Sequence, residues 1–250
     1  MKKIKLLIQY DGTSYYGWQK QPDKPTIQAS IEKALEELTS RRTNLTASGR
    51  TDRGVHAIGQ VAVFKTSSRL TPEEFKKALN SLLPPDIRIL KAEDVPLDFN
   101  ARLHAKKKRY IYLVNRADVQ SPFLYRYTYH YWGPLNLQNI KKACKDIVGT
   151  KDFKGFQSTG SSVKNTIRTM YEVNVKEISE FSFLAFTFKG PLIVFMFEAD
   201  GFLKQMVRNI VGTLLEIGKG TMPVEHIRKI FQAGDRKLAG PTVPAHGLFL

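Results

Sequence analysis

The chemistry of this chain concentrates in one string, Ser48-Gly49-Arg50-Thr51-Asp52-Arg53-Gly54-Val55-His56-Ala57. A single carboxylate stands between two arginines, and glycines bracket the group. Glycine reaches backbone angles that other residues avoid, so Gly49 and Gly54 mark a tight turn that presents Asp52. A carboxylate so presented can act as a nucleophile or a base. Two arginines are an odd choice for a purely structural turn, where Asn, Ser or Gly suffices. A plainer reading stays open: an Asp-stabilised turn with surface ion pairs, which contribute little.

Other chemistries lack their residues. The histidines His56, His104, His130, His226 and His246 are scattered without metal-ligand spacing. The string from Gly212 to Gly220, with Lys219, looks like a phosphate loop, but it is one residue too long, lacks Ser or Thr after the lysine, and follows a helical pattern. No dinucleotide fingerprint or serine-nucleophile elbow is present, so no cofactor is expected. The single Cys144 rules out an intramolecular disulfide and a cysteine-based zinc knuckle, and suits a reducing compartment.

Charge points to the partner. The 250 residues carry 39 Lys and Arg against 23 Asp and Glu, a net charge of +16. A polyanion is the expected ligand. Aromatic and basic residues interleave in Tyr125-Arg126-Tyr127-Thr128-Tyr129-His130-Tyr131-Trp132. This stretch reads either as a stacking surface for RNA or as an edge strand with one tyrosine face on the core. Tyr110 and Tyr112 share one face of a strand, with core packing as the plain alternative. The first apolar run is only Leu6-Leu7-Ile8 and the longest stretch is Pro191 to Phe197. Secretion and membrane signals need longer runs, and a soluble, cytoplasmic protein is expected.

The elements that must position these residues follow from periodicity. Lys3–Tyr10, Gln60–Lys65, Ile87–Ala92 and Arg109–Asn115 read as strands. Thr26 is placed to cap a helix with Ile27, Ile31, Leu35 and Leu38 inward. Thr71-Pro72-Glu73-Glu74 is a capping-box start, and Phe75, Ala78, Leu79 and Leu82 form the stripe to be buried before Pro84-Pro85. Asn136 is placed to cap a helix carrying Ile140, Ala143, Cys144 and Ile147. Three strand-like runs follow, Thr169–Val175, Phe181–Phe188 and Leu192–Ala199, then helices over Phe202–Ile217 and Val224–Phe231. On the first of these, Arg208 falls opposite the stripe Leu203, Met206, Ile210 and Leu214, on the side of Gly201 and Gly212, whose lack of side chains leaves room for another element. A solvated arginine is the plain alternative. The pattern predicts an α+β fold with mixed, mainly antiparallel sheets. The basic run Lys106–Arg109 is the expected seam, giving domains 1–104 and 105–250.

These strings together resemble the tRNA pseudouridine synthase A (TruA-type) family. Gly49 to Ala57 resembles its nucleophile loop, and Tyr10-Asp11-Gly12-Thr13 with Tyr16-Gly17-Trp18-Gln19 its N-terminal signature. Phe99-Asn100-Ala101-Arg102 with Arg109-Tyr110-Ile111-Tyr112, the block Met206 to Gly212, and Pro244 to Leu250 keep the family order. Arg53 departs from the family, whose members often carry a small residue there. The resemblance implies two similar α/β halves, each with an antiparallel sheet packed by helices, flanking a basic RNA-binding cleft. It implies isomerisation of uridine at positions 38, 39 or 40 of the tRNA anticodon arm, by a homodimer and without a cofactor. Asp52 is then the nucleophile, Arg208 its cationic partner, Tyr110 the residue against the target base, and Arg50 the side chain that fills the space left by an everted base. Arg102, Lys106, Lys107, Lys108, Lys164 and Arg168 are the expected RNA contacts, chosen partly by family position. Two other readings remain: a non-catalytic RNA-binding protein, and a base-excising hydrolase, although glycoside hydrolysis usually takes two carboxylates and only Asp52 stands out.

Overall fold

The computed structural model describes residues 1–161, 163–183 and 185–250. The chain divides into two compact units, Met1–Lys106 with Phe249–Leu250, and Lys107–Leu248.

In the first unit, four strands pair in the order β2-β3-β1-β4: β1 (Lys2–Tyr10), β2 (Thr46–Ala47), β3 (Ala57–Thr66) and β4 (Ile87–Val95). All these pairings are antiparallel. Alternation fixes the faces: Ile4, Leu6, Ile8 and Tyr10 of β1 all point into the core. Helices α1 (Ile27–Thr39) and α2 (Pro72–Leu82) supply its other side. Thr26 caps α1 through its hydroxyl, which accepts the Ala29 N–H at 3.3 Å. The capping box of α2 is complete: Thr71 Oγ1 accepts from Glu74 N at 3.3 Å and Glu74 Oε2 accepts from Thr71 N at 2.6 Å. The expected stripe of α2 needs one correction. Leu82 is exposed and Leu83, just past the helix, is buried instead. Leu83 turns to extended backbone (ψ 145) and so continues the Phe75–Leu79 spacing inward.

The second unit holds a sheet in the order β10-β5-β9-β8-β7, with β6 beside β5: β5 (Lys108–Asn115), β6 (Tyr129–His130), β7 (Gly149–Asp152), β8 (Ile167–Phe183), β9 (Phe186–Ala199) and β10 (Leu248–Phe249). Only the short β6 runs parallel to its partner among the pairings described. Helices α3 (Leu137–Lys145), α4 (Met206–Lys219) and α5 (His226–Ala233) belong to this unit. Asn136 caps α3, accepting the Asn139 N–H at 3.0 Å. No helix among the described residues is long and apolar enough to cross a membrane.

Three expectations fail here for local reasons. The runs Thr169–Val175 and Leu192–Ala199 lie in strands as expected, but the run Phe181–Phe188 is no strand of its own: residues 181–183 end β8 and pair at the hairpin tip with residues 186–188 at the start of β9, while Leu184 lies outside the described residues. The tip is carried by Ala185 at φ 61, with no Gly or Asn to announce it, and Gly190-Pro191 sits in β9 opposite a register shift between Ile178 and Glu180. Helix α4 starts at Met206 rather than Phe202, because Gln205 takes left-handed backbone (φ 57). Residues 125–128 form a turn and bend, Leu124 O accepting from both Tyr127 and Thr128 N–H, and only Tyr129–His130 pairs as a strand. Trp132, Tyr125 and Tyr127 are exposed, so no tyrosine face packs inward over the whole stretch. The phosphate-loop look-alike is the α4 helix running into Gly220, as its periodicity implied.

Candidate active site

Asp52 occupies the first position of a turn in which its carbonyl accepts the Val55 N–H at 3.1 Å. Gly54 sits third in that turn with φ +74, the left-handed angle that L side chains resist. The carboxylate residue is half-buried, with Arg50 and Arg53 exposed on either side of it.

The backbone around Asp52 is held from two directions. On one side lies the loop that follows β1. Trp18 N–H donates to Thr51 O at 3.1 Å, Gly54 N–H donates to Tyr15 O at 3.3 Å, and Tyr10 OH bonds Thr51 Oγ1 at 2.8 Å. Gly17 approaches so closely that a Cβ there would lie 2.6 Å from Thr51 O and 3.0 Å from the Asp52 carbonyl carbon. Gly12 packs against Val55 in the same way, its notional Cβ 2.0 Å from Val55 O. On the other side lies β3. Ser48 Oγ donates to Gln60 Oε1 at 2.9 Å, and Gln60 Nε2 donates to Gly49 O at 2.9 Å. Gln60, Thr51, Ser48 and Tyr10 are all buried. Burial pushes the Tyr10 hydroxyl up to about 12, against the opposing hydrogen bonds with Thr51 and Gln60, so it stays neutral. Tyr15 is raised further, first by burial and then by the Asp86 carboxylate that accepts its hydroxyl at 2.7 Å.

His56 closes the loop and is buried. Its Nδ1 lies 3.0 Å from the Gly12 N–H, which donates to it. Asp11 Oδ1 lies 3.1 Å from the same Nδ1, but that oxygen already accepts the Thr13 N–H and hydroxyl. The ring stacks on Phe249 at 4.7 Å, and His56 O accepts the Leu250 N–H at 3.1 Å. This is a structural histidine that anchors the loop. Among the described residues, no group of three or more His, Cys, Asp or Glu is placed to hold a metal ion.

The remaining candidates lie as follows. Tyr110 is buried in the second unit, its ring edge-on to Phe202 at 4.9 Å. Arg208 is in the first turn of α4 and half-buried, its Nε donating to Val243 O at 2.7 Å. It is therefore no free surface arginine. Its charge opposes the strong rise that burial imposes on the neighbouring Tyr112 hydroxyl. Gly212 does admit another element, since a Cβ there would meet Pro241 O at 1.7 Å. Lys107 and Arg109 both pair with Glu198, at 2.9 and 2.7 Å. Arg168 folds back on its own chain, donating to Asn165 O at 3.0 Å. Arg102, Lys106 and Lys164 are exposed and Lys108 is half-buried. The sequence pattern missed the supports, Tyr10, Ser48, Thr51 and Gln60. Only the small residues of the 10–18 loop hinted at a close approach.

Comparison with known proteins identifies the family. A family model described as tRNA pseudouridine synthase matches residues 6–103 and 143–250. Asp52 and Arg208 fall inside those spans and Tyr110 outside them. A tRNA pseudouridine synthase A of Thermodesulfovibrio yellowstonii is 44% identical over 250 residues, covering 100% of this chain and 98% of that one. One from Caldicellulosiruptor bescii is 44% identical with the same coverage. A protein named tRNA pseudouridine synthase A 2 from Clostridium perfringens is 43% identical over 100% of this chain and 98% of its own.

Proposed function

The chain belongs to the tRNA pseudouridine synthase A family, an isomerase family, and from that premise we propose that Asp52 is the nucleophile that converts uridine in the tRNA anticodon arm, at positions 38 to 40, to pseudouridine. The reaction breaks the uracil N1–C1′ bond and joins C1′ to uracil C5; the C5 proton leaves and N1 gains one. Atoms and electrons balance without an oxidant or ATP.

The observation that carries the reading is the fixing of Asp52 by its neighbours. Thr51 is held through both its carbonyl and its hydroxyl, and the next turn is closed by Val55 and Gly54. A reacting group has to be held near its attack geometry, because misplacement by about 1 Å can cost about 100-fold in rate. Ordinary surface turns have no need of such support. A carboxylate has an unperturbed pKa near 4 and is ionised at neutral pH. Attack at C1′, attack at C6 and removal of a ribose proton all use that same ionised oxygen. A paired uridine must leave its stack to reach it, at a cost of a few kcal/mol. Arg50, exposed two residues before Asp52, is the side chain assigned to the vacated space, since a planar guanidinium stacks on bases. Arg208 and Tyr110 carry the roles the resemblance gives them. Replacing Arg208 by Ala lowers turnover far more than tRNA affinity, and Tyr110→Phe separates base stacking from proton transfer. The working form is a homodimer bound to one tRNA.

The deciding experiment incubates Asp52→Asn protein with unmodified tRNA transcript in EDTA and maps pseudouridine by nucleotide. The wild type modifies positions 38 to 40, and the variant binds the transcript but yields no pseudouridine. Turnover within tenfold of wild type in the variant refutes the assignment, and release of free uracil by the wild type identifies a hydrolase instead.

A further inference from the structure

We propose that Arg53, Lys24 and Tyr16 form a stacked cationic bracket that binds a backbone phosphate of the RNA beside the reacting nucleotide. This rests on the reading of Asp52 as the catalytic residue.

The Arg53 guanidinium lies over the Tyr16 ring, its central carbon 4.2 Å from the centroid. Lys24 Nζ lies 4.8 Å from the same centroid. Arg53 is carried by the turn that presents Asp52. Tyr16 and Lys24 are carried by one closed loop: Tyr16 N–H donates to Pro25 O at 2.8 Å, Gln21 Nε2 donates to Tyr16 O at 3.0 Å, and Gln21 bridges Lys24. The three side chains are therefore set by backbone that is already fixed.

What the bracket lacks is an anion. Some cations of this chain have one: Lys5 and Lys91 share Glu93, Lys107 and Arg109 share Glu198, and Arg228 grips both Asp146 oxygens at 2.9 and 3.1 Å. Neither Arg53 nor Lys24 has a carboxylate within ion-pair distance among the described residues, and the guanidinium N–H groups donate to no protein acceptor there. Two cations gathered at one ring concentrate positive charge beside the Asp52 turn, and a phosphate arriving there offsets it. The guanidinium is seated over the ring with no protein acceptor on its N–H groups, a fork that can take two phosphate oxygens at once, and its prior ordering reduces the entropy lost on binding. The polyanion that brings phosphate to residue 53 is the substrate of residue 52.

Salt dependence tests this directly. The dissociation constant for unmodified tRNA transcript is measured from 50 to 400 mM KCl with wild type, Arg53→Ala, Lys24→Ala and Arg53→Lys, and with Lys33→Ala as a control on an exposed lysine of α1. Each alanine in the bracket flattens the log–log slope by about 0.7 to 0.9 and weakens binding several-fold at 0.15 M salt, whereas Arg53→Lys keeps the slope. An unchanged slope in Arg53→Ala overturns the proposal, as does an equal flattening in Lys33→Ala. Because the slope is read from binding, it still reports on the bracket if Asp52→Asn keeps its turnover, so the two readings fail separately.

Discussion

Substituting Gly17 by Ala tests whether the loop after β1 sets the position of Asp52. Gly17 has φ +87, and the new Cβ would lie 2.6 Å from Thr51 O, 3.0 Å from the Asp52 carbonyl carbon and 3.1 Å from Arg53 N. All three atoms are backbone, so no side chain can rotate away. Ordinary contact starts near 3.4 Å, and the two segments must part by about 0.8 Å. Gly220 provides the control. It has φ +83, and its notional Cβ meets nothing within 4 Å. Both substitutions pay for a left-handed alanine, about 1–2 kcal/mol. Only Gly17→Ala adds the steric shift, a further ~1–3 kcal/mol of overpacking. For a chain of this size each kcal/mol lowers Tm by about 2–4 °C. Gly220→Ala should lose a few degrees and keep its single-turnover rate. Gly17→Ala should lose about twice as much Tm, and its rate should fall about 10- to 100-fold, the cost of misplacing a reacting group by most of an ångström. Both rates are read with enzyme in excess over tRNA, well below either Tm. A Gly17→Ala protein with the Tm of Gly220→Ala and a wild-type rate would refute the claim that this contact registers the nucleophile.

The pair Tyr10–Thr51 should behave as a unit in urea unfolding. Thr51→Val alone strands a buried hydroxyl and costs about 1–3 kcal/mol, while the double variant with Tyr10→Phe costs less than the sum of the singles; strict additivity would show that the 2.8 Å bond holds nothing. Glu198 is held below the usual carboxylate range by hydrogen bonds from Lys107 and then Arg109. Its folded-state pKa is depressed, so its stabilisation is present above the ordinary value of 4.5 and is lost as pH falls through the lower folded value. Accordingly Glu198→Gln should have a lower Tm than wild type at pH 7, and the gap should close under acid; a gap independent of pH contradicts this. Burial pushes the Cys144 thiol up to about 12, so iodoacetamide at pH 8 should label it only as fast as the protein opens, and rapid labelling of folded protein would show that α3 does not cover it.

Legibility in the sequence tracked the range of the interactions involved. Helix α2 was readable to the residue at its start because Thr71, Pro72 and Glu74 make their contacts within one turn. Capping by Thr26 and Asn136 was readable for the same reason. The β8–β9 hairpin was not, since its reversal uses Ala185 at positive φ, and the dipeptide Gly190-Pro191 that signals a break lies inside a strand. The start of α4 was obscured by Gln205, a residue with no turn signature that takes left-handed backbone. Alternation in residues 125–132 suggested a strand, but an i→i+4 turn bond to Leu124 O captures the backbone first.

The candidate site divides the same way. Asp52 and its glycines were legible because turn chemistry is local. The residues that hold them were not, for Tyr10 and Thr51 are 41 positions apart and Gly49 and Gln60 are 11 apart. Spacing of that length carries no period. Yet the supports explain the small residues that the pattern left unexplained: Gly12 and Gly17 are where Val55 and Thr51 come too close for any side chain. The loop from Ser48 to Ala57 is therefore shaped by its two beds as much as by its own residues. Grafted alone onto another strand pair, it would keep the Asp52–Val55 turn, which it closes itself, and lose the bonds from Trp18, Tyr10 and Gln60 that aim the carboxylate. A working transplant must carry the 10–18 segment and the start of β3 with it.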